Sequence, residues 1–159
     1  MKKILNIACF ILLGIVIVLN LFSIVSIHVL RKDYINFFGY TYFEVQSGSM
    51  ASTININDII IVKLDEKYKK GDIITYKSNG SFITHRIIEI NKNQYITKGD
   101  AIDSNDKPTE KKQIIGKVIK IFSGFGVVTR VIQNPITLIF IFVIGVLIII
   151  YSSFKKTKE

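Results

Sequence analysis

Residues 76 to 90 read YKSNGSFITHRIIEI. Asn79-Gly80 lies between two runs rich in β-branched and aromatic residues, and Asn-Gly is the strongest short-range signal for a two-residue hairpin. Both central residues of such a turn need φ > 0, which glycine reaches freely and asparagine more readily than most residues. Beyond the turn, period-2 alternation puts His85 on one face with Ile83 and Ile87, while Arg86 points to the other.

Outward from this hairpin the same grammar repeats. DIIIVKL (58–64), GDIITYKS (71–78), SFITHRIIEI (81–90), QYITK (94–98) and QIIGKVIKIF (113–122) are short runs separated by Asn, Asp, Gly and Lys clusters, the pattern of successive strands and turns. No 3.6-residue apolar period persists here beyond a turn or two. The expectation is an antiparallel, mainly β domain whose loops carry its chemistry.

The flanks are of another kind. Residues 4–30 and 135–154 contain no Asp, Glu, Lys or Arg, and a helix crosses a bilayer core with about 20 such residues. The expected organisation is therefore an N-terminal transmembrane anchor over 1–33, a β-rich domain over 34–130, and a C-terminal transmembrane helix with a basic tail over 131–159. The first run exceeds the roughly 7 to 15 apolar residues of a cleaved signal, and no A-x-A-like site follows it. Before the second run, FSGFGVVTRVIQN (122–134) reads as a short amphipathic segment, and Asn134-Pro135 as an N-cap followed by a first-turn proline.

The net charge of +9 divides unevenly: residues 34–130 hold 14 Lys+Arg against 10 Asp+Glu, and the flanks hold 7 against 2. More than half of the excess lies beside the apolar runs, where basic residues favour the cytoplasmic side. Lys2, Lys3, Lys155, Lys156 and Lys158 all ask for that side, with Arg31 and Lys32 opposing mildly, so both termini are expected in the cytoplasm and the β domain outside. Basic and acidic residues alternate within the domain without an aromatic-interleaved stripe, which argues against nucleic-acid binding. No feature of the sequence assigns an oligomeric state.

Few groups can do chemistry. Cys9 is the sole cysteine, so no internal disulfide forms. His28 lies at the end of the first apolar run, where an imidazole reaches the interface. His85 is by default a hydrogen-bonded filler of a strand face, yet it is the soluble-side group best suited to act as a base near neutrality. DAIDSND (100–106) resembles a calcium loop but has Lys111 and Lys112 where an acidic ligand belongs. No metal or cofactor is expected. QSGSMAST (46–53) reads as a turn, because small hydroxylated residues and glycine concentrate in turns. A serine in it becomes a nucleophile only with a base beside it, and that base needs an acceptor to fix its tautomer.

SGSM (47–50), GDIITY (71–76), THRI (84–87) and TKGDAIDSND (97–106), in that order, resemble the boxes of membrane-bound type I signal peptidases of the endoplasmic-reticulum-type, Ser-His branch, which also occurs in Gram-positive bacteria and archaea. The likeness runs from about Phe43 to Gly116. It implies a signal-peptidase/LexA-like β fold, Ser49 as nucleophile, His85 as base, and Asp106 or Asp100 as the orienting carboxylate. Ser47 would join the oxyanion hole, with Met50 beside it in the oxyanion and substrate-binding group. The implied substrates are signal peptides of exported preproteins with small residues at −1 and −3, met at a lipid bilayer. The chain departs from the family in having Ala51-Ser52 where an acidic residue and a proline follow the methionine, and Ile102 where asparagine is common. The other readings are a membrane-anchored β module without activity, an inactive peptidase-like assembly subunit, and a self-cleaving, repressor-type relative.

Overall fold

The computed structural model describes residues 33–64, 67–92 and 94–156, together with positions 7, 11, 14, 15, 17, 18, 22 and 25. One compact unit spans Ile35–Val127, and Val128 onward belongs to a second.

The first unit is a seven-stranded sheet: β1 (Tyr40–Glu44), β2 (Ile59–Lys63), β3 (Ile73–Ser78), β4 (Ser81–Asn91), β5 (Gln94–Lys98), β6 (Thr109–Glu110) and β7 (Ile114–Phe122). Its order is β1-β2-β7-β3-β4-β5-β6, with each neighbouring pair antiparallel. The five runs picked out by their residues are β2, β3, β4, β5 and β7. The expected mainly β, antiparallel architecture is what the chain adopts. The hairpin at its centre closes with Ser78 opposite Ser81, and Asn79 (φ 49) and Gly80 (φ 81) both take the left-handed backbone that a primed turn requires. Two strands were not anticipated: β1, which opens soon after the first apolar run, and the two-residue β6.

Alternation along the strands builds two apolar clusters. Ile74, Tyr76, Ile87, Tyr95 and Ile114 form one, and Met50, Ile54, Ile60 and Val62 form the other. Burying each such aliphatic side chain is worth about 1.5–3 kcal/mol. β7 returns from the far end of the chain to pair with both β2 and β3. It thereby holds β1 and β2, which bracket the 45–58 loop, beside the hairpin that carries His85.

α1 (Gly126–Gln133) begins within the 122–134 segment at the end of the first unit, and α2 (Pro135–Lys156) follows it in the second. Asn134 caps α2 as its side-chain type predicts, its Oδ1 accepting the Ile136 N–H at 2.9 Å. The apolar residues Val127, Val128, Val131 and Ile132 of α1 are exposed. Among the described residues no helix is long and apolar enough to cross a membrane; in α2, side chains are described only as far as Ile148. The first expected span lies outside the described residues apart from those isolated positions.

Candidate active site

Ser49 sits in a tight turn between β1 and β2. The Ala51 N–H donates to the Gly48 carbonyl at 3.0 Å, and the Thr53 and Ile54 N–H groups both donate to the Met50 carbonyl, at 3.1 and 2.8 Å. The side chain of Met50 is 2% exposed and packs with Ile54, Ile60 and Val62. Met50, grouped with Ser47 in the expected oxyanion and substrate-binding set, thus has its side chain in the core. Apolar burial pulls Met50 into the core, and it thereby pins the turn from below. Ser47 is exposed and Ser49 half-buried above it.

A second loop, 99–108, closes on this turn. The Ala101 N–H donates to the Ser49 carbonyl at 3.0 Å, the Asp100 N–H meets Met50 Sδ at 3.3 Å, and Thr53 Oγ1 donates to Asp100 Oδ2 at 2.6 Å. Arg86 grips the same carboxylate in a two-point fork, Nε to Oδ1 at 2.9 Å and Nη2 to Oδ2 at 2.6 Å, while its Nη1 donates to the Gly71 carbonyl at 3.0 Å. The hydrogen bonds from Arg86 hold the Asp100 carboxyl below its ordinary range, with Thr53 adding to the effect. Such forks match the planar guanidinium to the carboxylate and add geometric definition as well as charge attraction. Asp100 is thus the clasp between the serine turn and β4.

Asp106 does the other task. Its Oδ2 lies 2.5 Å from His85 Nδ1, and His85 is buried at 5% exposure on the Ile87 face of β4, where alternation places it. The choice left open between Asp100 and Asp106 as the partner of His85 therefore falls on Asp106. Asp103, the third carboxylate of the loop, is exposed and joins neither pair.

The serine turn and β4 both come close to Gly99. A methyl group there would lie 2.5 Å from the Ser49 carbonyl oxygen and 3.0 Å from His85 Nε2, so the backbone of the serine turn and the free edge of the imidazole flank one point. The Ser49 hydroxyl contacts Ser47 Oγ at 3.4 Å, at the outer limit for a hydrogen bond. It is not bonded to the imidazole, and such contacts are often long before substrate arrives. Among the described residues no group of three or more His, Cys, Asp and Glu could hold a metal.

Sequence reasoning placed Ser47, Ser49, His85, Asp100 and Asp106 together. It passed over Thr97, whose hydroxyl meets Asp106 Oδ2 at 2.7 Å, and the close approach at Gly99. Neither has a local signal: Thr97 is one strand threonine among several, and Gly99 reads as strand punctuation.

Signal peptidase I W of Bacillus subtilis (strain 168) is 42% identical over 71 residues, which cover 40% of this chain and 37% of that protein. The chain thus matches little more than a third of this relative's length. The Peptidase S24-like family model matches residues 28–119. That stretch takes in the Ser49 turn, His85, the Gly99 approach and both paired aspartates on one antiparallel sheet, and the chain belongs to the Peptidase S24-like family.

Proposed function

We propose that the chain is a membrane-bound serine endopeptidase that removes N-terminal signal peptides from exported preproteins. The observation that carries this reading is the convergence at Gly99, where the serine turn meets the imidazole edge that Asp106 leaves free. With Nδ1 committed to Asp106, Nε2 is the nitrogen that accepts the Ser49 proton as Oγ bonds to the scissile carbonyl carbon. That proton passes to the leaving amine as the C–N bond breaks. A water then gives a proton to Nε2 as its oxygen bonds to the acyl carbon, and that proton returns to Ser49 Oγ as the ester C–O bond breaks and the acid leaves. The Ser49 N–H and Ser47 Oγ are the donors assigned to the oxyanion, and losing one such donor typically costs about 10²–10³ in rate. No metal or nucleotide enters the scheme.

Anchoring belongs to the same proposal: residues 1–33 and 131–159 span the membrane, both termini are cytoplasmic, and the β domain over 34–130 is outside. The consecutive apolar residues Ile139 to Ile144 of α2 are all exposed, so every side of the helix there lacks protein packing, as a lipid-facing helix would. Anchoring holds enzyme and membrane-borne substrate on one surface and raises their effective concentration. The substrate binds extended, with small residues at −1 and −3.

A module without activity is the second reading. It is favoured by the Ser49 hydroxyl contacting Ser47 rather than the base. Processing of a secreted preprotein by membranes carrying wild type, Ser49→Ala or His85→Ala at equal abundance separates the two. Trimming by wild type alone is the expected result. Processing by Ser49→Ala at the wild-type rate would overturn the nucleophile assignment.

A further inference from the structure

Behind Asp106 lies a second layer of buried hydroxyls. Thr97, 0% exposed in β5, holds this residue at two points: Oγ1 is 2.7 Å from Asp106 Oδ2, and the Thr97 carbonyl accepts the Asp106 N–H at 2.8 Å. Thr97 Oγ1 is also 3.3 Å from the phenol oxygen of Tyr76 in β3, itself 3% exposed. A threonine hydroxyl carries one proton. The shorter, charge-assisted contact directs it to the carboxylate, and the Tyr76 phenol itself hydrogen-bonds Asp106 and Thr109 as well as meeting Thr97.

We propose that Thr97 and Tyr76 are positioning residues of this site: the Thr97 hydroxyl, backed by the Tyr76 phenol, holds Asp106 Oδ2 on His85 Nδ1 and so keeps Nε2 free to accept a proton. The proposal rests on the peptidase reading for its kinetic consequences only. His85 is fixed on a strand, whereas Asp106 is on an irregular loop with its side chain 24% exposed, and a carboxylate so placed turns to water unless something opposes it. The oxygen that meets the imidazole is the one Thr97 meets, so the two donors fix its direction as well as its distance. Burial, reinforced by the charge of Asp106, pushes the Tyr76 phenol up to about 12. The phenol therefore remains a neutral donor wherever the enzyme works.

The test uses the full chain, with cleavage of a secreted preprotein as one readout. The other is the downfield proton resonance of the His85 Nδ1–H, assigned with His85→Gln. In Thr97→Val, which keeps shape and removes the hydroxyl, kcat is expected to fall about ten- to hundredfold with KM unchanged, the size of a lost hydrogen bond to a charged group. The resonance is expected to move upfield or broaden away. Thr97→Ser returns the hydroxyl and is expected to restore both. Tyr76→Phe removes one oxygen from a conserved shape and is expected to cost several-fold in kcat, with a smaller shift of the resonance.

A Thr97→Val protein that keeps the wild-type resonance and kcat overturns the proposal. So does a Thr97→Ser protein as impaired as Thr97→Val, since the hydroxyl would then be irrelevant. If Thr97→Val does not fold, Tyr76→Phe decides, and unchanged readouts there overturn the relay. A wild type that cuts nothing, yet shows the expected changes in resonance, sinks the peptidase reading and leaves the positioning role standing.

Discussion

Ser52 occupies the left-handed backbone region at φ 77, which costs a residue with a side chain roughly 1–2 kcal/mol. Proline, common at this place in type I signal peptidases, is locked near φ −65°, so the Ala51-Ser52 departure comes with a different turn. Ser52→Gly is expected to raise stability by about 1 kcal/mol, and Ser52→Pro to lower it by about 3 kcal/mol or more, both read from thermal or urea melts. A Ser52→Pro protein as stable as wild type would show that the turn accepts the family geometry. Gly99 carries the opposite constraint, since a methyl there meets the Ser49 carbonyl oxygen at 2.5 Å and His85 Nε2 at 3.0 Å. Gly99→Ala must displace the serine turn or the imidazole, and peptidase activity is expected to fall about a hundredfold, the scale of a 1 Å misplacement. Near-UV circular dichroism checks that the fold is kept. At this scale the candidate residues stood out because their types are rare and ordered: one histidine within residues 34–130, one serine before a methionine. The burial of Met50 was not legible, because its direction depends on the turn's backbone, which residue types alone do not fix.

Elements were legible wherever a local rule decided them. Asn79-Gly80 dictated the β3–β4 hairpin, and alternation over 81–90 placed His85 on the Ile87 face of β4. The position of β7 between β2 and β3 was not legible, because that pairing joins segments far apart in the chain. β6 is two residues long and carries no period at all. The clasp between loop and strand shows the same division, since Asp100 was named from its box but its fork on Arg86 needs the fold. That pair makes a pH prediction. Arg86 lowers the folded-state affinity of Asp100 for protons, so its stabilisation is present above the unfolded carboxyl value of about 4 and is lost as pH falls through the lower folded value. Both side chains are partly solvated, so the contribution is on the order of 1 kcal/mol. Melting wild type and Asp100→Asn from neutral to strongly acidic pH should show a gap that narrows below about pH 4. A gap of constant width would mean that the carboxylate charge contributes nothing.

Over the whole molecule, the proposed topology rests on the uneven charge and the two uncharged runs, and it can be tested apart from catalysis. Lys2, Lys3, Lys155, Lys156 and Lys158 flank the runs on their outer sides, and cytoplasmic retention of such residues sets orientation over short loops. Arg31 and Lys32 oppose this from the other end of the first run, but five lysines outweigh two residues. A domain held outside also meets precursors where their signal segments emerge, which is where a signal-removing enzyme has to work. The chain's single cysteine, Cys9, makes a clean background: in Cys9→Ser, a cysteine is introduced at Ser104, exposed in the aspartate loop, or at Thr157 in the basic tail. A membrane-impermeant maleimide applied to intact cells is expected to label Ser104→Cys and to reach Thr157→Cys only after lysis. Labelling of Thr157→Cys in intact cells would invert the orientation and put the Ser49 turn on the wrong side for exported substrates. Labelling of both positions before lysis would put them on the same face and mean that the run over 135–154 does not cross the membrane, so that the first run alone, or neither run, behaves as an anchor of the proposed kind.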